Sequence, residues 1–476
     1  MNHPFILLIC ALFLVKCSST DTSSDASEVT PPDQSTAYSD VDLYVTKPDQ
    51  SELFNLQANK VPSYTENGNF SITVDPETTY QTMDGFGFSL TGGSALHLND
   101  MSDASRAEIL NELFDSDNIG VSYLRISIGA SDLDAEVFSY DDLSEGETDE
   151  SLERFSIEKD KENLIPVLKE ILAINPNIKI MGSPWSAPTW MKTNNNSIGG
   201  SLKPEYYAVY ADYFVKYIKA YEAEGITVDA ITVQNEPLHD GNNPSMYMEA
   251  IDQADFVKNH LGPAFETAGI QTKIIVWDHN ADNPSYPMTI FADTEANEYV
   301  DGSAFHLYGG SIDNLSTVHN AYPDKNLYFT EQWVGVNSEF DDNLLWHTRE
   351  LIVGATRNWC KTVLEWNLAS NSNLEIHTDG GCTECLGALT IDGDTVKRNV
   401  AYYIIAHASK FVRPGSVRVS SNYSSDLPNV AFETPSGDIV VIVVNNTSID
   451  MAFNIKSPSG SISTSLDAGA VGTYVW

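Results

Sequence analysis

Positive charge is scarce in this chain: 26 Lys and Arg stand against 67 Asp and Glu, a formal net charge of -41 over 476 residues. So negative a field repels polyanions, which argues against nucleic acid and sulfated or uronic polysaccharides as partners and favours a neutral ligand. The same excess is self-repelling in dilute buffer. Salt at several tenths molar, where the screening length falls to about 4–5 Å, relieves that repulsion, so a saline habitat fits the composition. Cysteine is scarcer still. Beyond residue 17 it occurs only as Cys360, Cys382 and Cys385. Three thiols cannot all pair, and a single C-x-x-C with no second ligand pair argues against structural zinc. Cys382 and Cys385 either close a small disulfide in an oxidising compartment or stay free. No repeat of solenoid or propeller length occurs, so the chain reads as successive strand and helix units.

One apolar run stands out near the N-terminus, FILLICALFLV at 5–15. It has the length of a signal-peptide core and is too short to span a bilayer comfortably. It leads into Lys16-Cys17 and the polar stretch STDTSSDASEVTPPDQSTAYSD, which cannot bury a core. The whole resembles a bacterial lipoprotein signal, although no Lys or Arg precedes the run and Lys16 replaces the usual small residue. The expectation is export across the inner membrane with Cys17 lipidated, the protein being held at the cell envelope. Simple secretion to a periplasmic or extracellular site and an uncleaved anchor are the alternatives. The expected division is a signal at 1–17, a disordered tether at 18–50, N-terminal strands at 51–78, a catalytic unit at 79–411 and a C-terminal sheet module at 412–476.

Within 79–411, short β-branched runs alternate with longer amphipathic stretches. Strands are predicted at 83–88, 121–128, 178–181, 230–233, 273–277, 303–306, 326–330 and 362–366, separated by helical patterns such as SRAEILNELF and EYYAVYADYFVKYIKAYEA. A βα unit repeated eight times closes into a (β/α)8 barrel. After about 412 the pattern becomes apolar-polar alternation between Gly, Ser and Asn turns, an antiparallel sheet. Residues 53–74 also look extended and are expected to join it, bringing both chain ends into one β-sandwich.

In such barrels the chemistry stands at the C-terminal ends of the strands. Polar residues close these runs throughout: Arg125 with Asp132 beyond it, Ser183-Pro184-Trp185, Gln234-Asn235-Glu236-Pro237, Asp278-His279, His306 and Tyr308, Glu331-Gln332-Trp333, and Glu365-Trp366-Asn367. Glu236 and Glu331 each directly follow a buried β run, where a solvated surface glutamate would be unusual. Retaining glycosidases need two such carboxyls about 5–5.5 Å apart, one to protonate the leaving oxygen and one to attack the anomeric carbon. Taken singly, each residue has an ordinary explanation: the tryptophans as core, His306 as a hydrogen-bonded core histidine, Arg125 as a barrel ion pair. Those explanations do not account for polar closures at the same end of successive strands.

The segments DGFGFSLTGGSA at 84–95, LRISIGASDL at 124–133, SPWSAPTWMKTN at 183–194, TVQNEP at 232–237, FHLY at 305–308, YFTEQW at 328–333 and EWNLAS at 365–370 resemble glycoside hydrolase family 30. That family includes glucosylceramidases and β-1,6-glucanases. The resemblance implies a barrel with a side β-sandwich made from both termini, retention of configuration, no metal and no organic cofactor. It implies Glu236 as acid/base and Glu331 as nucleophile. It also implies Asn235 on the sugar 2-hydroxyl, Asp132 and Trp185 on the far side of the ring, Trp366 along the floor, and Arg125, His306 and Tyr308 orienting the two glutamates. The LTGGSA and YFTEQW forms are similar to the bacterial β-1,6-glucan-cleaving branch. The expected activity is therefore β-1,6-glucosidic cleavage in a neutral glucan. Glucosylceramide or another β-glucoside or β-xyloside on the same site, and an inactive surface carbohydrate-binding protein, are the alternatives.

Overall fold

The computed structural model describes residues 39–58 and 61–476. The expected signal at 1–17, its Cys17 and the first part of the tether lie outside the described residues. Eight strands, Gly85–Ser89, Tyr123–Ser127, Lys179–Ser183, Ala230–Thr232, Lys273–Ala281, Val300–Gly310, Asn326–Glu331 and Cys360–Asn367, pair in parallel and close into a barrel, the eighth beside the first. Each contains or overlaps a run predicted above. Helices pack outside them with the faces that the apolar spacing dictates. Tyr207–Ala223, for instance, buries Tyr210, Tyr213, Phe214, Tyr217 and Tyr221 at three- and four-residue intervals.

Side chains alternate along each strand, and this alternation sets the barrel interior. Tyr123, Met181, Ala230, Ile275, Ala304, Tyr328 and Leu364 meet as one buried apolar cluster. Two residues further along five of these strands stand Arg125, Ser183, Thr232, His306 and Thr330, all buried. The barrel is thus plugged by an apolar layer and capped at its C-terminal end by a polar one.

The second unit is a nine-stranded arrangement that draws on both ends of the described chain. Asp42–Thr46 pairs antiparallel with Val471–Val475. The long strand Phe70–Thr82 pairs antiparallel with Val417–Ser421 and parallel with Met451–Ser457. Two expected boundaries are corrected here. Residues 42–46 belong to the sheet and not to a tether, because Leu43 and Val45 bury against it. The strand expected to end by 78 continues to Thr82, almost to the barrel. The two units meet at a seam where His407, on the helix Val400–Ser409, bridges Thr473 and Thr46 hydroxyls at 2.8 Å each.

Candidate active site

Three barrel strands lose regular register at their C-terminal ends, between Phe329 and Glu331, between Trp277 and His279, and between Glu365 and Asn367. An extra residue in one strand changes which side chains face inward. The consequence is clearest on the seventh strand. Thr330 and Glu331 are adjacent, yet the Thr330 hydroxyl donates to Asp278 at 2.6 Å and Glu331 accepts from Arg125 at 2.7 Å, both inside the barrel mouth. Trp277 and Asp278 hold left-handed backbone at φ 73° and 65°, and Glu236 does so at φ 44°. Such conformations cost about 1–3 kcal/mol each in non-glycine residues and persist where the surroundings fix them.

Asp278 is the hub of the polar layer. It accepts from Arg125 at 2.8 Å and from the hydroxyls of Ser183 at 2.8 Å, Thr232 at 2.7 Å and Thr330 at 2.6 Å, and it contacts His306 Nε2 at 3.2 Å. Burial alone would raise its carboxyl, but Arg125 and His306 outweigh burial and hold it far below the usual carboxylate range. Burial alone would lower His306. The charges of Glu331, Asp278 and Glu236 instead push it up to about 9, so the ring is an imidazolium at neutral pH.

The candidate catalytic carboxyls hang on this hub. His306 Nδ1 lies 3.1 Å from Glu236 Oε1 and 3.8 Å from Glu331 Oε1. Glu331 accepts from Arg125 Nη1 at 2.7 Å and from the Tyr308 hydroxyl at 2.9 Å. One oxygen of each glutamate and an imidazole nitrogen lie within 4.8 Å of one another. That is the close spacing of a retaining pair; an inverting pair stands about 6.5–9.5 Å apart to admit a water. Burial pushes the Glu331 carboxyl up, and His306 and Arg125 pull it back without cancelling that push. For Glu236 burial acts upward too, but the hydrogen bond and charge of His306 outweigh it and hold the carboxyl down. The trio could surround a cation by distance alone. Its donor chemistry argues otherwise, because both His306 nitrogens already face carboxylates and a protonated imidazole offers no lone pair.

Of the remaining expected residues, Asp132, Trp185, Trp366 and Tyr308 line, with both glutamates, a cavity of about 320 Å³. Trp185 and Trp366 pack 5.4 Å apart and line it with Asp132. Burial, with the Glu331 charge next, pushes Asp132 up to about 7, and its carboxylate accepts from the Cys382 N–H at 3.3 Å. Asn235 uses its oxygen to accept from Arg125 at 2.6 Å, which leaves its amide nitrogen without a partner among the described residues. Tyr308 is 40% exposed although its hydroxyl sits on Glu331, so its ring forms part of the rim. Cys382 and Cys385 are bonded to each other and line the cavity, while Cys360 is a buried free thiol elsewhere.

Three contributors were not assigned roles from the sequence: Asp278 as hub, His279 beside Glu236 at 3.8 Å, and Trp333 on the cavity wall. Each closes a predicted strand with a polar or aromatic residue, which was the available signal. Burial pushes His279 down to about 4, so it stands as a neutral ring next to Glu236.

A family profile described as "Glycosyl hydrolase family 30 TIM-barrel domain" matches residues 83–412, and "Glycosyl hydrolase family 30 beta sandwich domain" matches 415–474. The endo-1,6-beta-D-glucanase of Neurospora crassa is 35% identical over 417 residues, 83% of this chain and 86% of that protein. The lysosomal acid glucosylceramidase of Mus musculus is 28% identical over 442 residues, 85% of this chain and 83% of that protein. A solved structure of the endo-beta1,6-glucanase BT3312 superposes with a TM-score of 0.85 at 37% identity, covering 92% of this chain and 100% of that one.

Proposed function

The chain belongs to glycoside hydrolase family 30, a family of retaining enzymes, and from that premise we propose that it cleaves β-1,6-glucosidic linkages in neutral glucans, such as side branches of a laminarin-type β-1,3-glucan. The observation that carries the linkage is the likeness to β-1,6-glucanases over most of the chain, in sequence and in structure. The net charge of -41 supports a neutral polymer over a sulfated or uronic one.

In this reading the sugar ring lies on Trp185, Trp366 and Asp132 with its anomeric carbon over Glu331. The Glu331 carboxylate attacks that carbon, the glycosidic C–O bond breaks, and Glu236 gives its proton to the leaving oxygen. Glu236 then takes a proton from water as the water displaces Glu331, which restores both groups and the original configuration. In the empty pocket His306 keeps charge on Glu236. A docked sugar desolvates Glu236, which favours its protonated form, and sets developing positive charge against the Glu331 carboxylate. Arg125 and Tyr308 remain on Glu331 to carry its charge. The Asn235 amide nitrogen is the group available to the sugar 2-hydroxyl.

The test is a comparison of kcat/KM on pustulan, gentiobiose, branched laminarin, linear β-1,3-glucan and glucosylceramide. Preference for a β-1,6-linked substrate supports the reading. Preference for glucosylceramide or linear β-1,3-glucan over every β-1,6-linked substrate overturns it and leaves the two-glutamate mechanism standing. The run at 5–15 followed by Cys17 supports work at the cell envelope. Cys17→Ala should then shift the protein from membranes to the soluble fraction and abolish palmitate labelling. Equal partitioning of both forms would leave a freely secreted enzyme.

A further inference from the structure

The loop that follows the eighth barrel strand is fastened on two sides of the catalytic pocket. On one side Thr378 donates its N–H to the Asp132 carbonyl at 2.9 Å. Gly381 lies so close to that carbonyl that a Cβ there would stand 2.2 Å from it, so the loop seats only without a side chain at this point. Cys382 then gives its N–H to the Asp132 carboxylate at 3.3 Å, and among the described residues no other residue donates to that carboxylate. On the other side Cys385 and Leu386 pair with Gly335 and Val334, the short strand that follows Glu331, Gln332 and Trp333. Val336 adds a hydrogen bond to the Glu384 carbonyl at 2.9 Å. Between the two fastenings lie Thr383 and Glu384, both exposed, and the Cys382–Cys385 bond spans them. Cys385 packs with Leu133, Trp185 and Trp366, and Cys382 lies against that group.

Global stability is a poor account of a bond in this place. A disulfide restrains the unfolded chain less the shorter the loop it closes, and these cysteines are three residues apart. What the bond restrains is local. At 3.3 Å the Cys382 hydrogen bond is already at the long end of its range, so a small outward drift of the exposed turn breaks it. Burial and the Glu331 charge both disfavour the Asp132 carboxylate, and the Cys382 N–H works against both. We propose that the Cys382–Cys385 bridge is a positioning clip, which ties Asp132 to the segment behind the nucleophile and so sets how tightly the pocket grips the sugar ring. The proposal rests on the reading above, in which Asp132, Trp185 and Trp366 hold the ring whose bond is broken.

The test is a double-mutant cycle on an aryl β-glucoside with wild type, Cys382→Ala/Cys385→Ala, Asp132→Ala and the triple variant, each checked for folding by near-UV circular dichroism. Removing the bridge should raise KM about tenfold and leave kcat within about threefold, the mark of a loosened hold on the ring with both glutamates intact. In the Asp132→Ala background the same removal should cost less than about twofold, because the clip acts through Asp132. A full loss in that background, or an unchanged KM in the folded bridge variant, overturns the clip. If the bridge variant does not fold, the wild type is titrated with a dithiol, which gives two hydrogens to the bridge and leaves as its own cyclic disulfide, until two further thiols react. KM should then rise as above and return on reoxidation, and an unchanged KM with both thiols free overturns the proposal. If the enzyme ignores the aryl β-glucoside but cleaves another aryl β-glycoside, the glucan reading fails, and the same cycle on that sugar decides the clip.

Discussion

Two fully buried histidines, one at the barrel mouth and one at the seam, are driven in opposite directions. His306 is pushed up to about 9 because Glu331, Asp278 and Glu236 outweigh burial, whereas His407 is pushed down to about 3 by burial alone. His407 faces two threonine hydroxyls and no charge. The mouth is therefore an assembly of compensated charges, built to stabilise charge as it moves during a reaction. The seam is a neutral joint that holds two units together. Burial says little about a histidine's role until its neighbours are named.

The sharpest way to break this comparison is to remove charge from the mouth. Glu331→Ala should lose at least about 10⁴-fold in kcat on any glycoside, since no group remains to attack. Glu236→Ala should lose about 10²–10⁴-fold on glucans but much less on aryl glycosides, whose leaving groups need no acid. Azide should rescue that variant and give a β-azide product. An α-azide would reverse the two roles.

Next in size are the pH slopes. The mouth's stabilising contribution from His306 is complete below its unfolded value near 6.5 and is lost as pH rises toward about 9. The seam's contribution from His407 is complete above about 6.5 and is lost as pH falls toward about 3. Thermal melting against pH should show both losses, about 3 kcal/mol at the mouth and about 5 kcal/mol at the seam. His306→Asn should flatten the alkaline limb and depress activity. His407→Asn should flatten the acid limb and leave kcat within about twofold. Matching slopes in the two variants would erase the distinction. The smallest effect expected is from Thr473→Val at the seam, about 1 kcal/mol of stability with unchanged kinetics, read by denaturant titration with an aryl-glucoside assay.

How much of this was legible in the sequence follows from how local each signal is. The eight barrel strands were readable because each apolar run is short and closed by a polar residue, and Glu236 and Glu331 stood out for the same reason. Asp278 closes its strand just as visibly, but its meaning lies in Arg125, Ser183, Thr232, His306 and Thr330, which reach it from five other strands. No local pattern encodes that convergence. The strand Asp42–Thr46 was absorbed into a polar tether because its partner lies at Val471–Val475, at the far end of the chain. The spacing of Cys382 and Cys385 permitted either a bond or free thiols. The structure bonds them beside the cavity, where the Cys382 N–H holds Asp132.

The central claim is that Glu331 becomes covalently bound to the sugar while Glu236 handles the proton. Incubation with a 2-deoxy-2-fluoro-β-glucosyl fluoride, which forms the intermediate faster than it is hydrolysed, followed by peptide mass spectrometry, tests it directly. The account predicts one glycosyl label per chain, on Glu331, with turnover lost in step with labelling. A label on Glu236 or Asp132, or inactivation without any covalent sugar, would contradict it.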